Sequence, residues 1–150
     1  MHNNDLFDLA GKTVMITGGG SGLGLAITRA LKQAGAKVII IGRREDVLQS
    51  ICRELGENAA YRAFDLSHLE EIPTLIEEIE ATEGPIDVLV NNAGINLKKD
   101  ILEVTNEEFG NVVQVNQTAV FSLTREVARK MASRGTGSII MISSMAAKYG

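Results

Sequence analysis

Short apolar runs alternate regularly with segments of helical periodicity along this chain of 150 residues. Such alternation is typical of buried strands that are linked to one another through helices. We predict strands in KTVMIT (12–17), AKVIIIG (36–42), AAYRAF (59–64), PIDVLVNNAG (85–94) and GSIIMIS (137–143), and helices over residues 23–35, 45–55, 68–83 and 106–133. Strands that are apolar throughout and are separated by helices indicate an α/β fold with a parallel sheet that is covered on both faces.

The connections between these strands restrict their order in the sheet. Right-handed crossovers and two mononucleotide-type halves give the strand order 3-2-1-4-5, a Rossmann-type doubly wound parallel sheet. We expect one domain over residues 1–150, because the sequence shows no linker, repeat or low-complexity segment. In such a sheet the ligand crevice lies at the carboxyl ends of strands 1 and 4, where the chain reads TGGGSGLG (17–24) and NNAG (91–94).

The glycine-rich turn TGGGSGLG has two interpretations. Glycine loses more backbone freedom on folding than any other residue, so a cluster of glycines needs a reason. The turn either connects a strand to a helix without binding anything, or it lets the backbone approach a ligand closely. Because a helix N-terminus offers unpaired N–H groups and a partial positive charge, the second interpretation predicts a bound pyrophosphate.

The composition excludes several other classes of protein. A net charge of −4, without aromatic residues interleaved with Lys or Arg, argues against a nucleic-acid partner. No apolar run approaches the length of a membrane span, and the polar start MHNNDLFDLA is not a secretory signal, so we expect a cytoplasmic protein. The single cysteine, Cys52, excludes a disulfide within the chain, and His2 and His68 do not form a metal-ligand cluster, so no metal is expected.

Five features in a fixed order resemble one family. The glycine motif is T-G-x-x-x-G-x-G, which differs from the G-x-G-x-x-G of ordinary dinucleotide folds. It is followed by an aspartate after strand 3, by NNAG, by an asparagine in the long fourth helix, and by ISS (142–144) at the end of strand 5. Together these features, which span almost the whole chain, resemble the short-chain dehydrogenase/reductase family.

The resemblance implies a nicotinamide dinucleotide and a set of residues that bind it. The glycine turn would hold the pyrophosphate, the residues after strand 3 the adenine, and the NNAG loop the ribose. The implied cofactor-binding residues are Thr17, Gly18, Ser21, Gly22, Leu23, Gly24, Arg43, Arg44, Asp65, Leu66, Asn92, Ala93 and Gly94. Two alternatives stay open: Asp65 merely starts the next helix, and Asn91 ties adjacent loops through its side chain.

The choice between NADP and NAD depends on the end of strand 2. Relatives that prefer NAD usually have an acidic residue there, which binds the ribose 2′-hydroxyl, whereas this chain reads IIIGRRED. Gly42 stands in the place of the acid, and Arg43 follows it. A guanidinium pairs with a 2′-phosphate and stacks on adenine, so NADP is favoured and NAD is the second choice. The alternative is that Arg43 and Arg44 are simply solvated.

The resemblance also implies two catalytic residues. Asn116, among the apolar neighbours of VVQVNQTAVF, would hold a water in a proton relay; otherwise it is a core asparagine with satisfied hydrogen bonds. Ser144 would donate a hydrogen bond to the substrate oxygen and stabilise charge that develops there; otherwise Ser143 and Ser144 are a serine pair that ends a strand. The family's tyrosine and lysine form a Y-x-x-x-K motif about a dozen residues beyond Ser144, and Tyr149 does not replace that tyrosine.

The substrate is inferred from the same resemblance. VNQTAVF, NNAGINLKKD and ISSM are similar to the gluconate 5-dehydrogenase branch of the family, which implies a small polar sugar acid as substrate. Lys98 and Lys99 either attract its carboxylate or are solvated loop residues. A 3-oxoacyl reductase or another small-ketone reductase is an alternative, and a non-catalytic dinucleotide-binding module is the alternative from another class.

The resemblance leads to three expectations about the whole protein. The chain is the N-terminal, cofactor-binding part of a longer fold and is inactive by itself, and one face of strands 4 and 5 lacks cover. The protein forms a homo-oligomer, a dimer or tetramer, through the helix over 106–133. A run of apolar residues in that helix serves either the core or an interface: Val112, Val115, Ala119, Leu123 and Val127.

Overall fold

A computed structural model describes residues 7–144 of the chain. Strands and helices alternate along it. The strands are β1 (Thr13–Thr17), β2 (Lys37–Gly42), β3 (Ala59–Ala63), β4 (Val88–Asn91) and β5 (Ser138–Met141). The helices are α1 (Gly22–Gln33), α2 (Glu45–Leu55), α3 (Ile72–Glu83), α4 (Asn106–Val113) and α5 (Ala119–Arg134), with short 3-10 turns at Leu69–Glu71 and Ile101–Glu103.

The sheet confirms the predicted topology. All its strand pairs are parallel, and their order is β3-β2-β1-β4-β5. In the register of β1 with its neighbours, Ile16 lies beside Ile40 of β2 and Val90 of β4. Because parallel strands end at a common edge, the segments that follow β1, β2, β3 and β4 meet there, and so the topology builds the predicted crevice.

The core consists of two layers, one on each face of the sheet. Alternate residues of the central strands, such as Met15 and Leu89, point to one face and pack against α3 and α5. Their neighbours, such as Val14 and Val90, point to the other face, which α1 covers beside β1. Since the central strands are buried on both faces, they contain apolar residues without alternation, as the sequence predicted.

The long fourth helix differs from the sequence prediction. Residues 106–133 do not form one α-helix, because a π-helical turn (Gln114–Thr118) separates α4 from α5. Of the apolar residues that were assigned to core or interface, Ala119, Leu123 and Val127 are buried in the core, and Val112 and Val115 are partly buried.

The outer strand β5 is more exposed than the strands at the centre. It ends at Met141, so Ser143 and Ser144 lie beyond it rather than in its last positions. Ile140 is 42% exposed and Met141 52% exposed, as expected for a strand with little cover. The same expectation is wrong for β4, whose Leu89 and Val90 are buried between the two layers.

Within residues 7–144, none of the helices is both long enough and apolar enough to cross a membrane.

Candidate functional site

A cavity of about 440 Å³ lies at the carboxyl edge of the sheet, where the segments after β1 to β4 meet. Most of the predicted cofactor-binding residues line it: Gly18, Ser21, Leu23, Gly24, Arg43, Arg44, Asp65, Leu66, Asn92, Ala93 and Gly94. Residues outside that predicted set also line it: Gly20, Ile41, Gly42, Val47, Leu48, Phe64, Ser67, Ile95, Asn111 and Val115. The predicted residues Thr17, Gly22, Asn116 and Ser144 lie outside the cavity wall.

Thr17 is buried at the end of β1, beneath the loop that follows β4. Its hydroxyl oxygen accepts hydrogen bonds from the backbone N–H groups of Asn92 and Ala93, both at 3.0 Å. The side-chain amide of Asn92 donates in return to the backbone carbonyls of Thr17 at 3.1 Å and Gly18 at 3.4 Å. These bonds fix the NNAG loop against the glycine turn, so Thr17 shapes the cavity without lining it.

The glycines of the turn are needed mainly for its own packing. A Cβ atom at Gly24 would lie 2.1 Å from the carbonyl oxygen of Gly18, and one at Gly18 would lie 3.0 Å from Nδ2 of Asn92. Gly22 differs, because a Cβ there would meet nothing within 4 Å, while its φ of +51° disfavours other residues. The absence of side chains is therefore required by the fold of the turn itself.

The N-terminus of α1 opens beside this turn. Its N-cap residue, Ser21, makes no side-chain capping hydrogen bond, and the first turn contains no acidic residue. The free N–H groups and the positive end of the helix dipole are thus available to an anion. Arg43 and Arg44 are exposed and line the same cavity. This set of donors and positive charges fits the phosphates of a dinucleotide.

Asp65 stabilises a local turn and also lines the cavity. Its Oδ1 accepts a hydrogen bond from the backbone N–H of Ser67 at 3.0 Å. This bond lowers the pKa of the Asp65 carboxyl, against the opposing effect of partial burial, and the positive charges of Arg43 and His68 contribute further. The Asp65 carboxylate therefore lies at the cavity wall and also orders the segment after β3.

Gly42 ends β2 at the position that separates the two cofactor preferences. A Cβ at this position would come no closer than 3.4 Å to the Leu48 side chain, which is an ordinary contact. The fold would therefore accept a Cβ atom at position 42, so packing by itself does not require glycine there.

Asn116 lies in the π turn and holds the loop that follows β4. Its Oδ1 accepts from the backbone N–H of Ile95, and its Nδ2 donates to the carbonyl oxygen of Ile95, both at 2.8 Å. The expectation that this asparagine needs partners is confirmed, but Asn116 is exposed rather than buried among its apolar neighbours. The bonds to Ile95 engage both polar atoms of the side chain.

Ser144 follows β5 at the same edge of the sheet and is exposed. The segment leading to it is held by the backbone N–H of Ile142, which donates to the carbonyl oxygen of Asn91 at 2.9 Å. Because Ser143 and Ser144 lie beyond β5, strand alternation does not decide which of them points toward the cavity. Tyr149 lies outside the described residues.

Two further sequence predictions concern side chains near the site. Lys99 is engaged by Glu108, whose carboxylate oxygens both lie 3.0 Å from its Nζ, whereas Lys98 forms no ion pair within residues 7–144. Asn91 is buried, and its Nδ2 contacts Oγ1 of Thr124 at 3.0 Å and Sδ of Met141 at 3.3 Å. Asn91 thus ties β4 to α5 and β5, whereas the alternative interpretation from the sequence had it tie adjacent loops.

Comparison with known proteins places this geometry in a family. The model of the family described as short chain dehydrogenase matches residues 12–150. The chain belongs to the short-chain dehydrogenase/reductase family. The resemblance in the motifs and the strand order is therefore confirmed.

Among relatives in the short-chain dehydrogenase/reductase family, the 5-keto-D-gluconate 5-reductase of Escherichia coli (strain K12) is 40% identical over 98% of this chain and 59% of its own length. A 3-oxoacyl-(acyl-carrier-protein) reductase of Rickettsia prowazekii (strain Madrid E) is 39% identical over 93% of this chain and 56% of its own length. The crystal structure of a gluconate 5-dehydrogenase from Burkholderia cenocepacia J2315, in complex with NADP and tartrate, has a TM-score of 0.90 and 36% identity over 98% of this chain and 59% of that one. The chain thus spans somewhat more than half the length of these relatives.

Proposed function

We propose that the cavity binds NADP and that the protein is an oxidoreductase that transfers a hydride between the nicotinamide and a carbinol or carbonyl carbon. The observation that carries the proposal is the cavity itself, which joins the open N-terminus of α1 to Arg43 on one side and to Asp65 on the other. When bound, the nicotinamide supplies or accepts the hydride. The residues of this chain bind and orient the two reactants.

The parts of the cavity have separate roles in this proposal. The first turn of α1, with Gly18, Ser21 and Leu23, holds the pyrophosphate. Asp65 and Leu66 contact the adenine, and the backbone of Ala93 and Gly94 lines the ribose. Arg43 pairs with the 2′-phosphate, with Arg44 adding positive charge, and Gly42 places no carboxylate beside it. The NADP in the related Burkholderia structure supports this choice over NAD.

The substrate in this proposal is a sugar acid such as gluconate or its 5-keto form. The names of the Escherichia coli and Burkholderia relatives support it. Lys98, which has no ion-pair partner within the described residues, is available to attract a carboxylate, whereas Lys99 is bound to Glu108. The similarity to the Rickettsia enzyme supports a 3-oxoacyl thioester as the second candidate.

Ser144 and Asn116 serve catalysis in different ways. The Ser144 hydroxyl donates a hydrogen bond to the substrate oxygen and stabilises negative charge there. Asn116 holds the Ile95 loop at the cavity and contributes to a water-mediated proton relay. Residues 1–150 contain no Y-x-x-x-K motif, so the general acid/base of the family is not assigned to any of them.

The proposal extends to the state of the protein in the cell. We infer a cytoplasmic homo-oligomer, a dimer or tetramer, in which residues 1–150 form one cofactor-binding domain. The exposed side chains Phe109 and Phe121 on α4 and α5 support an interface on these helices, because large apolar side chains are usually covered in an assembly.

A cofactor titration tests the proposal directly. Calorimetry with NADPH and NADH should give saturable binding that favours NADPH. Arg43→Ala should weaken NADPH binding about 10-fold, because one charged hydrogen bond to the 2′-phosphate is lost, and should leave NADH binding nearly unchanged. Arg53→Ala, which removes an exposed arginine of α2 outside the cavity, is the matched control.

Gly42→Asp provides the reverse test. The new carboxylate should repel the 2′-phosphate and bind the 2′-hydroxyl, so the preference should change toward NADH. A folded chain that binds neither cofactor would overturn the proposed function.

A further inference from the structure

Consecutive residues of the π turn contact both sides of the cavity. Gln114 donates from its Nε2 to the carbonyl oxygen of Ser67 at 2.8 Å, across to the segment after β3. Val115 lines the cavity, and Asn116 makes its paired bonds to Ile95 in the loop after β4. Ser67 and Ile95 both line the cavity as well. One helical turn therefore holds two separate parts of the cavity wall.

A π turn provides a position from which such bonds can be made. It is wider than an α-helical turn and occurs mostly as a single insertion within a longer helix, frequently at functional sites. Here it occupies Gln114–Thr118, between the end of α4 at Val113 and the start of α5 at Ala119. The hydrogen bond from Gln114 to Ser67 connects the π turn to the side of the cavity that contains Asp65.

The segment after β3 is anchored at Phe64, whose N–H donates to the carbonyl oxygen of Gly42 at 2.7 Å, and at Leu66, which is buried in the core. At Ser67 itself, the other hydrogen bonds are local. The N–H of Ser67 donates to the Asp65 carboxylate at 3.0 Å, and the carbonyl of Ser67 also accepts from the N–H of Leu69 at 3.1 Å. Both partners are within two residues of Ser67, so they shape the turn without fixing its place. The bond from Gln114 spans 47 residues of sequence and ties the turn to the helix.

We propose that Gln114 is a positioning residue for the adenine side of the cavity: by holding the Ser67 carbonyl, it fixes the turn that presents the Asp65 carboxylate. This inference rests on the proposed function, since the adenine is the group that Asp65 contacts there. Loss of the bond leaves the Ser67 carbonyl paired with Leu69, so no buried polar group is orphaned and the fold tolerates the change.

The test uses Gln114→Met, which keeps the length of the side chain and removes the donor. The matched control is Gln117→Met, because Gln117 is exposed in the same π turn and its side chain makes no hydrogen bond within residues 7–144. Two probes divide the cofactor into its halves: adenosine 2′,5′-bisphosphate and reduced nicotinamide mononucleotide. Calorimetry measures the affinity of each, and amide hydrogen exchange of residues 64–69 measures the turn without any ligand.

We expect Gln114→Met to weaken the adenosine bisphosphate about 3- to 10-fold, the effect of one hydrogen bond, and to leave the nicotinamide mononucleotide unchanged. Exchange at residues 64–69 should rise in this variant and not in Gln117→Met. An equal loss for both halves would mean that Gln114 serves general stability, and unchanged exchange would mean that it does not hold the turn; either result overturns the inference. A third outcome separates the two proposals. If the wild-type protein bound neither probe, but exchange at residues 64–69 still rose in Gln114→Met, the proposed function would be overturned. The conclusion that Gln114 holds the turn would stand.

Discussion

At the scale of single residues, the glycine turn shows that one motif can satisfy different physical requirements. At Gly24 a Cβ would overlap the carbonyl oxygen of Gly18, so the requirement is steric. At Gly22 the surrounding space is open and only the positive φ matters, so the requirement is conformational. The sequence pattern T-G-x-x-x-G-x-G does not distinguish these cases, because both appear as glycine.

Substitutions to alanine and asparagine should separate the two requirements. Asparagine tolerates the left-handed region better than alanine, so Gly22→Asn should be less destabilising than Gly22→Ala, which should cost about 1 kcal/mol. At Gly24 both substitutions should destabilise by about 1–3 kcal/mol, since any Cβ displaces the Gly18 backbone. Urea denaturation of the four variants measures the free energies of unfolding. If asparagine gave no advantage at Gly22, the conformational explanation would be wrong.

At the scale of elements, a cluster of charges joins the end of α3 to β2 and to the edge strand β3. Glu83 forms ion pairs with Lys37 of β2 at 3.0 Å and with Arg62 of β3 at 3.1 Å. Burial by itself would raise the pKa of the Glu83 carboxyl, but the hydrogen bonds and charges of Lys37 and Arg62 outweigh it, and the pKa is lowered. Lys37 also donates to the backbone carbonyl of Glu83 at 2.8 Å, which completes the link.

The stabilisation from Glu83 should depend on pH. A carboxyl whose pKa is lower in the folded state stabilises the fold above the pKa of the unfolded chain, and this contribution is lost as the pH falls through the folded value. Glu83→Gln should therefore cost about 1 kcal/mol at pH 7 and close to nothing near pH 3. Denaturation at both pH values measures the difference. Glu78→Gln, in an exposed part of α3, is the control and should show neither effect; a loss in Glu83→Gln that is the same at both pH values would contradict the ionic explanation.

At the scale of the whole molecule, burial decreases from the centre of the sheet toward β5. All of β1 is buried, and it lies between β2 and β4. By contrast, β5 pairs with β4 alone among the described strands, and Ile140 and Met141 remain exposed on it. Local stability should follow this gradient, because opening a strand exposes the apolar surface that it buries.

Native-state hydrogen exchange should reveal the gradient. The amides of β5 should exchange at least about 10-fold faster than those of β1, which corresponds to a difference of about 1.4 kcal/mol in opening free energy. Mass spectrometry of peptides from β1 and β5 measures this ratio of exchange rates. The measurement is repeated at several protein concentrations. Equal protection of β1 and β5 at every concentration would mean that β5 is as firmly held as the centre of the sheet.

The sequence predicted the strands and their order because apolar runs and glycine boundaries are local signals, and crossover handedness leaves few topologies. It also predicted most of the cavity wall, since the segments after parallel strands must meet at one edge. It did not predict Ser67 or Gln114, whose bond joins residues far apart in sequence. Nor did it predict the π turn, because the helical periodicity of residues 106–133 is the same for a continuous α-helix.

Residue types at short spacings were thus enough to predict the Rossmann-type sheet, the location of the candidate site and the family. The tertiary structure alone decided what particular side chains do there. It placed Thr17 beneath the NNAG loop, bound Lys99 to Glu108 and gave both polar atoms of Asn116 to Ile95. The physical reason is that a hydrogen bond forms with whichever partner the fold brings within about 3 Å, and that distance is set by packing rather than by position along the chain.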